Sequence, residues 1–365
     1  MTRVDIAVVG AGMAGASLAA ALAPHARVAL LEAEAQAGVH ATGRSAAFWS
    51  ETYGGPYIQP LTAASHATLA RPDPDFSDRT FLSPRGGVYV AGPGRAAALD
   101  AIQGEFAGAV EVERLRGEAL DALVPGLRPE WREGLREPRC ADIDVAGLHA
   151  AYLRAFRRND GLLLLNAEFD VASFEGGRWR LRCGAHAIEA DVLVNAAGAW
   201  ADAVAERAGA RPLGIRAYRR TVVQLAVDPA VPAALPLVMD VDGGFYFKGE
   251  APGRIWLSPH DETESAAGDV AAEELDVAVA IDRLQRVIDW NVRRVERAWA
   301  GLRSFAPDRL PVYGFDPRTP GLFWCAGQGG WGIQTAPAAA DMAARLLLGR
   351  ELGAVDPAPY RPDRF

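Results

Sequence analysis

The sequence predicts a mixed fold, α/β in one domain and α+β overall, in which a Rossmann-like domain is interrupted by a domain built on an antiparallel sheet. Glycine-rich turns follow apolar runs at three distant places, near residues 10, 198 and 327, which is typical of parallel strands that lead into helices. The segments between these turns are rich in proline, glycine and alternating apolar residues, which indicates β-rich inserts. At 365 residues the chain also exceeds the usual size of a single hydrophobic core.

The first of these turns carries a dinucleotide-binding fingerprint. Gly10, Gly12 and Gly15 follow an apolar run, and Glu32 ends the next apolar run, 22 residues after Gly10. The first glycine permits the tight turn, the second lets the backbone approach a pyrophosphate, and the third lets the helix pack on the sheet. An acid at position 32 accepts hydrogen bonds from the adenosine ribose and disfavours a 2'-phosphate, so we expect FAD or NAD here.

The rest of the chain continues the alternation of elements. In the first half of the chain we predict a loop and helix start at 38–47, a change of domain in the Pro- and Gly-rich stretch 71–94, and a helix at 145–158. Strands are expected at 162–165 and 169–174, followed by a strand, turn and helix over 191–209. In the remaining part we predict a β-rich layer over 211–260, an amphipathic helix at 276–297, and a strand, turn and helix over 321–348. The simplest division is a discontinuous cofactor domain over 1–80, 140–210 and 301–365, with a substrate domain over 81–139 and 211–300.

Composition argues against several kinds of partner and site. The net charge of -8 argues against a nucleic-acid partner, because phosphate binding depends on clustered lysine and arginine. Cys140, Cys183 and Cys325 are odd in number and widely spaced, so we expect neither a disulfide framework nor a metal site. The apolar stretch 6–23 contains spaced glycines and is expected to be a strand and helix, not a transmembrane segment. We expect a cytoplasmic protein, with attachment to the inner face of the membrane as the alternative.

Further motifs carry a resemblance to a known family. They are Thr42-Gly-Arg-Ser-Ala-Ala47, Ala141-Asp-Ile-Asp144, Trp299-Ala-Gly-Leu-Arg-Ser-Phe305, and Gln328-Gly-Gly330 leading into Gly332-Ile-Gln-Thr335. Together with the fingerprint, they resemble the FAD-dependent D-amino acid oxidase family, which includes sarcosine and glycine oxidases, and in particular the bacterial D-arginine dehydrogenases. The resemblance covers nearly the whole chain.

The resemblance implies FAD as the cofactor. The cofactor-binding residues it implies are Gly10, Gly12, Met13, Ala14, Gly15, Glu32, Ala33, Arg44, Ser45, Ala46, Val171, Ala197, Gly198, Trp200, Gly327, Gly329, Gly330, Gly332, Ile333 and Gln334. Sarcosine-oxidase relatives attach the flavin through a cysteine before the last strand, but the corresponding run 305–312 has none. Non-covalent FAD is therefore expected.

The same resemblance implies a substrate pocket. Arg220 and Arg303 would bind the substrate carboxylate, for which a planar guanidinium is well suited. Tyr53 and Tyr246 would line the pocket, and the carbonyl of Gly330 with the side chain of Gln334 would orient the amine or the flavin edge.

Two positions depart from the D-arginine enzymes. Phe48 stands where they have a histidine, and Gly87 where they have a glutamate that pairs with a cationic side chain. Phe48, Trp49 and Trp331 together favour a neutral, apolar or aromatic substrate side chain, although they could equally mark a remodelled entrance.

The implied reaction is oxidative deamination of a D-amino acid. Hydride transfer from Cα to flavin N5 would give an imine, which water hydrolyses to a 2-oxo acid and ammonia, with oxygen or a quinone as the final electron acceptor. Two alternatives stay open: oxidation of a secondary amine, such as an N-alkyl amino acid or opine, or of a 2-hydroxy acid; and a flavoprotein subunit of a larger complex. None of the six histidines is assigned a catalytic role.

Overall fold

A computed structural model describes residues 1–365. Its eight α-helices are α1 (Met13–Leu22), α2 (Gln59–Ala70), α3 (Ala96–Glu105), α4 (Glu118–Leu123), α5 (Val145–Arg158), α6 (Ala201–Arg207), α7 (Glu274–Val287) and α8 (Ala336–Leu347). Short 3-10 helices lie at Gly198–Trp200, Ala358–Tyr360 and Pro362–Arg364. None of the helices has the length and apolar character that a bilayer crossing requires.

The first sheet is six-stranded and mostly parallel. In spatial order its strands are β10 (Leu162–Leu164), β3 (Val28–Leu31), β2 (Ile6–Val9), β14 (Val192–Asn195), β22 (Leu322–Ala326) and β21 (Val312–Phe315), of which only β21 is antiparallel to its neighbour. Helices α1, α5 and α8 cover one face, and α6 with a smaller sheet covers the other. Strands β2, β3 and β22 are therefore buried along their whole length, which explains their continuous apolar runs.

Three further sheets complete the fold. The four-stranded sheet that packs on the first has the order β1 (Thr2–Arg3), β13 (His186–Ala190), β12 (Arg178–Cys183) and β11 (Phe169–Glu175). The nine-stranded sheet has the order β19 (Thr263–Glu264), β15 (Arg216–Asp228), β18 (Arg254–Ser258), β17 (Tyr246–Ala251), β16 (Leu237–Asp240), β6 (Gly87–Ala91), β8 (Glu133–Glu137) and β7 (Glu113–Arg116), with β20 (Asn291–Phe305) also paired to β15. A small sheet joins β4 (Phe48–Trp49), β9 (Ala141–Ile143) and β5 (Leu82–Pro84).

The helix predicted at 276–297 is correct only in its first half. Helix α7 ends at Val287, the backbone at Ile288 is extended, and residues 291–305 form β20. Ile288, Val292 and Val295 stand at helical spacing, which is why the apolar pattern indicates a longer helix. In the structure β20 instead pairs with β15 along its whole length, and that long-range ladder overrides the local pattern.

The other predicted elements need smaller changes. The helix expected at 145–158 is α5, with the same bounds, while residues 38–44 form turns and begin no helix. The division into a cofactor and a substrate domain stays a prediction. Strand β20 runs across its proposed boundary at 300, and so carries Arg303 from the nine-stranded sheet toward the ends of the parallel strands.

Candidate active site

A groove with a volume of about 560 Å³ lies along the carboxyl ends of the parallel strands. In folds of this kind, dinucleotides bind where these strand ends meet the following helices. Most of the residues that the sequence predicts for the cofactor line it: Gly10, Gly12, Met13, Ala14, Glu32, Ala33, Arg44, Ser45, Ala197, Gly198, Trp200, Gly329, Gly330, Gly332 and Ile333. The three glycine-rich turns, far apart in sequence, therefore meet at one groove.

The remaining predicted cofactor residues lie beside the groove. Gly15 packs under the first turn, and Gly327 adjoins Ala306. Ala46 and Gln334 line an adjoining chamber described below. Val171 lies on β11 with 44% of its surface exposed and lines neither space; Ala167 to Phe169, just before it, line the groove instead.

The glycines of the first turn have different structural roles. Gly10 has φ of +99°, and a Cβ there would lie 2.5 Å from the carbonyl oxygen of Ala196. A Cβ on Gly15 would lie 1.9 Å from the carbonyl oxygen of Gly10. A Cβ on Gly12 would meet only Thr42 Oγ1, at 3.3 Å, and otherwise open groove. Gly10 and Gly15 are thus required by the turn itself, whereas Gly12 leaves space for a ligand.

Polar groups at this end of the groove suit a nucleotide. Glu32 accepts hydrogen bonds from the backbone N–H groups of Ala11, at 3.0 Å, and Glu34, at 3.1 Å, which fix its carboxylate at the end of β3. Each carboxylate oxygen keeps a free lone pair for a ribose hydroxyl. Thr42 Oγ1 accepts from the N–H of Met13 at 2.9 Å, so this hydroxyl lies at the start of α1 beside the phosphate-binding position.

Arg44 holds a covering segment over the groove. Its guanidinium donates to the carbonyl oxygens of Val270, at 2.8 Å, and Ala300, at 3.3 Å, and forms an ion pair with Asp269. Gly268 and Val270 of this segment line the groove. The sequence pattern missed this segment because the contacts link positions more than 200 residues apart.

A small chamber of about 20 Å³ adjoins the groove. Its lining is Ser45, Ala46, Ala47, Phe48, Tyr53, Arg220, Tyr246, Arg303, Gly330, Ile333 and Gln334. Four of these, Ser45, Arg303, Gly330 and Ile333, also line the groove, so the two spaces meet there. The lining holds two cations and no acid.

Arg303 is the cation at this junction. Its guanidinium makes no ion pair and no hydrogen bond within the chain. Burial lowers the pKa of Arg303, and the positive charge of Arg220 lowers this pKa further. The residue stays charged, since an arginine does not lose its proton in a protein. Arg303 is partly buried, so a guanidinium without a partner is costly there, and an anion bound in the chamber would reduce that cost.

Arg220 lies across the same chamber and is held by the chain. Its Nε donates to the carbonyl oxygen of Asp261 at 2.9 Å, and its Nη2 contacts Glu262 Oε1 at 3.1 Å. Glu262 also pairs with Arg309 at 2.7 Å, so its charge is shared between two arginines. The positive charge of Arg220 is therefore only partly neutralised.

Aromatic rings form another part of the chamber. The ring of Phe48 lies 4.9 Å from that of Tyr53 and 5.8 Å from that of Tyr246. Burial raises the pKa of Tyr246, so its hydroxyl is protonated at neutral pH. The sequence missed a histidine beside these tyrosines: His260 Nε2 lies 3.3 Å from the Tyr53 hydroxyl. His260 follows β18, which pairs with the strand β17 that carries Tyr246, and no sequence motif marks it.

Gln334 and Glu137 hold the loop that carries Tyr53. Gln334 accepts from the N–H of Ser50 at 3.2 Å and donates to the carbonyl oxygen of Tyr53 at 3.1 Å. The buried carboxylate of Glu137 accepts from Ser50 Oγ at 2.8 Å, Thr52 Oγ1 at 2.5 Å and the N–H of Glu51 at 2.7 Å. Burial raises the pKa of Glu137, and all its bonds go to this loop.

Two predicted pocket residues do not line the chamber. Gly87 lies on β6, where a Cβ would be 3.1 Å from Cys140 Cβ and close to Met239. The ring of Trp331 packs edge-on against Phe305 at 5.5 Å and lies 6.4 Å from that of Tyr53, and Trp331 does not line the chamber.

The three cysteines are buried and unpaired, and none lines the groove or the chamber. Non-covalent attachment of FAD stays a prediction. No cluster of His, Cys, Asp and Glu side chains could hold a metal ion.

Comparison with known proteins agrees with this geometry. A family model described as FAD dependent oxidoreductase (DAO) matches residues 5–346. The chain is 27% identical to FAD-dependent oxidoreductase domain-containing protein 1 of Bos taurus over 194 residues, 49% of this chain and 40% of that protein. It is 28% identical to glycine oxidase of Pseudomonas aeruginosa over 252 residues, 67% of this chain and 66% of that protein. The match spans about two fifths of the length of the first of these relatives.

Solved structures are similar over the whole chain. Glycine oxidase from Geobacillus kaustophilus has a TM-score of 0.88 at 23% identity, with all of both chains covered. L-proline dehydrogenase from P. horikoshii has a TM-score of 0.83 at 20% identity, covering 100% of this chain and 98% of that one. At these identities the likeness shows the fold.

Proposed function

The chain belongs to the DAO family of FAD-dependent oxidoreductases, and we propose that it oxidises the Cα–N bond of free α-amino acids, with neutral D-amino acids as the favoured substrates. FAD is the cofactor, and the residues of the groove fit it: an acid at the ribose end, a glycine turn open to a pyrophosphate, and a further glycine-rich turn beside the chamber. When bound, FAD supplies the acceptor for a hydride.

The observation that carries the proposal is the unpaired guanidinium of Arg303. It faces the junction of groove and chamber, with Arg220 across the chamber and no acid in the lining. A substrate carboxylate would pair with both cations through charge-assisted hydrogen bonds. This contact would fix one end of the substrate, so that its Cα lies toward the groove.

The amine would be held by neutral groups. The Tyr53 hydroxyl and the carbonyl oxygen of Gly330 lie in the same lining, and both can accept N–H hydrogen bonds. No residue of the lining is a strong base, so the reactive form is the neutral amine. Loss of the Cα hydrogen as hydride from the neutral amine gives an iminium ion, and water then hydrolyses the iminium ion to a 2-oxo acid and an ammonium ion.

The charge of the chamber supports a neutral substrate side chain. Two nearby acids already have partners: the buried Glu137 accepts hydrogen bonds from the Tyr53 loop, and the partly buried Asp142 pairs with Lys248 at 2.7 Å and with Arg85. A cationic side chain would find no free anion. Preference for the D enantiomer is supported by the motifs that resemble D-arginine dehydrogenases.

An anaerobic substrate screen tests the proposal. The holoenzyme is mixed with D- and L-amino acids, glycine, sarcosine and 2-hydroxy acids, and the flavin absorbance is followed together with ammonia release. We expect rapid bleaching and ammonia with neutral D-amino acids. Bleaching by 2-hydroxy acids alone would refute amine oxidation, and bleaching with release of a primary amine would favour the secondary-amine alternative. Reoxidation by air or by a soluble quinone then identifies the class of acceptor.

A further inference from the structure

His260 is partly buried between the two tyrosines of the chamber. Its Nε2 lies 3.3 Å from the Tyr53 hydroxyl, and its ring meets that of Tyr246 edge-on at 5.7 Å. Its Nδ1 lies 2.7 Å from the carbonyl oxygen of Gly243, and its backbone has φ of +56°. His260 lines neither the groove nor the chamber, and of its contacts with chamber residues the hydrogen bond is the one to Tyr53.

These contacts fix which ring nitrogen of His260 carries the proton. The carbonyl oxygen of Gly243 can only accept a hydrogen bond, so Nδ1 must be the donor. Burial lowers the pKa of His260 to about 3, and Arg220, Arg303 and Arg283 lower it while the Gly243 contact opposes them. The ring is therefore neutral, and Nε2 has a free lone pair that accepts the proton of the Tyr53 hydroxyl.

Building on the proposed amine oxidation, we propose that His260 is a positioning residue that makes Tyr53 a hydrogen-bond acceptor toward the substrate amine. Because the Tyr53 proton points to His260, the lone pairs of the hydroxyl oxygen face the chamber. Tyr53 and the Gly330 carbonyl can then accept the two N–H bonds of a neutral amine, and neither donates to its nitrogen.

The direction of the Tyr53 hydrogen bond matters for the reaction. As the hydride leaves Cα, the nitrogen lone pair moves into the new C–N double bond. A hydroxyl that donated its proton to that lone pair would stabilise the unreacted amine and oppose the electron shift. His260 prevents this unproductive bond, so it raises the rate of the chemical step without contributing to carboxylate binding.

Two substitutions separate the two hydrogen bonds of His260. In H260Q the side-chain amide reaches the place of Nε2, so it can still accept from Tyr53. In H260N the amide reaches only the place of Nδ1, so it keeps the Gly243 contact and frees the Tyr53 hydroxyl. Asparagine also tolerates the positive φ at this position. H25N, at an exposed histidine, is the matched control.

The measurement is the anaerobic rate of flavin reduction at saturating substrate. We expect H260N to be slower by about three- to tenfold, the effect of one neutral hydrogen bond, with substrate affinity unchanged or tighter. H260Q should recover most of that loss. In a Y53F background, H260N should have no further effect, because the hydroxyl that His260 orients is gone. Equal rates for wild type and H260N, or additive effects of H260N and Y53F, would overturn the proposal.

A measurement without substrate separates this inference from the proposed function. Nitrogen-15 NMR of the wild-type holoenzyme and H260Q reports the His260 tautomer at pH 7. We expect a neutral ring with its proton on Nδ1. An imidazolium, or a proton on Nε2, would overturn the inference even if amino acids reduce the flavin. Failure of every amine to reduce the wild-type enzyme would instead refute the proposed function.

Discussion

Arg303 forms no ion pair within the chain, and the chamber that it lines contains no acid. We expect R303M to lower kcat/KM for the substrate by about tenfold to more than a hundredfold, the range for a charged hydrogen bond of about 1.5–3 kcal/mol. The thermal midpoint should stay the same or rise, because a partly buried cation without an ion-pair partner is replaced by an apolar side chain of similar length.

R216M is the matched control for R303M. Arg216 lies on β15, its side chain is 64% exposed, and it pairs with Glu264. It should leave kcat/KM unchanged. Unchanged kcat/KM in R303M, or a marked loss of stability there, would mean that Arg303 is a structural residue.

His260 predicts a pH dependence of stability that can be measured without a substrate. Its pKa is lowered from 6.5 to about 3, with burial as the main cause. Between these values the unfolded chain binds a proton at His260 that the folded chain does not. The stability contributed by its neutral form is therefore complete above pH 6.5 and is lost as the pH falls toward 3.

H260Q should flatten this acid branch of the stability curve. The slope should decrease by up to one bound proton, at most about 1.4 kcal/mol per pH unit. Thermal midpoints between pH 4 and 7 measure the slope, with H25Q as the exposed control. The pKa values of His66 and His149 are also lowered by burial, but these residues are common to both proteins and cancel. Parallel curves for wild type and H260Q would contradict the expectation.

Single residues show how far the sequence can locate the site. The family resemblance predicts Arg220, Arg303, Tyr53 and Tyr246 as pocket residues, and in the structure all four line one chamber. The same resemblance predicts Gly87 and Trp331, yet neither lines the chamber: Gly87 lies on β6 against Cys140 and has no side chain to reach it, and Trp331 packs against Phe305. His260 follows a strand in an irregular loop, so no periodic pattern indicated it.

At the scale of elements, the turn between β2 and α1 makes a prediction about FAD binding. G12V should keep the fold, because a Cβ there meets only the Thr42 hydroxyl, but its side chain would enter the groove. We expect FAD affinity to fall by about tenfold or more as backbone contacts to the pyrophosphate are lost. Flavin content and fluorescence titration measure the effect, while far-ultraviolet circular dichroism should not change.

A control for G12V comes from a glycine in open space. Gly104 lies in α3, and a Cβ there would meet nothing within 4 Å. G104V should retain FAD like the wild type. Full flavin retention in G12V would remove the argument that this turn approaches the pyrophosphate.

The elements that the sequence predicted best are those with a strong local signal. The βα turns combine a continuous apolar run with glycines. Helix α5 combines an amphipathic apolar pattern with a capping acid, since Asp144 accepts a hydrogen bond from the N–H of Gly147 at 2.9 Å at the start of the helix. Strand β20 lacks such a signal, since its partner β15 begins 75 residues earlier. Pairing over that distance cannot be read from local spacing.

At the scale of the whole molecule, the site forms where two sheets meet. The six-stranded sheet contributes the groove through its strand ends, and the nine-stranded sheet contributes both arginines and Tyr246 on β15, β17 and β20. The sequence indicated three turns around one groove and a β-rich insert. The sequence could not show the charge balance of the chamber. That balance depends on which nearby acids already form ion pairs or hydrogen bonds with other residues.

That charge balance predicts the substrate specificity of the whole enzyme. The chamber lining contains two cations and no acid, so the guanidinium of D-arginine would be buried without an anion. The cost should be several kcal/mol if the chamber is closed around the substrate.

D-citrulline has nearly the same shape as D-arginine but is neutral, so the comparison isolates charge from size. We expect kcat/KM to be higher for D-citrulline than for D-arginine by about a hundredfold, with smaller neutral amino acids such as D-alanine better than both because the chamber is small. A preference for D-arginine over D-citrulline would mean that a carboxylate such as Glu137 leaves its present partners and reaches the side chain, and the neutral-substrate proposal would then be wrong.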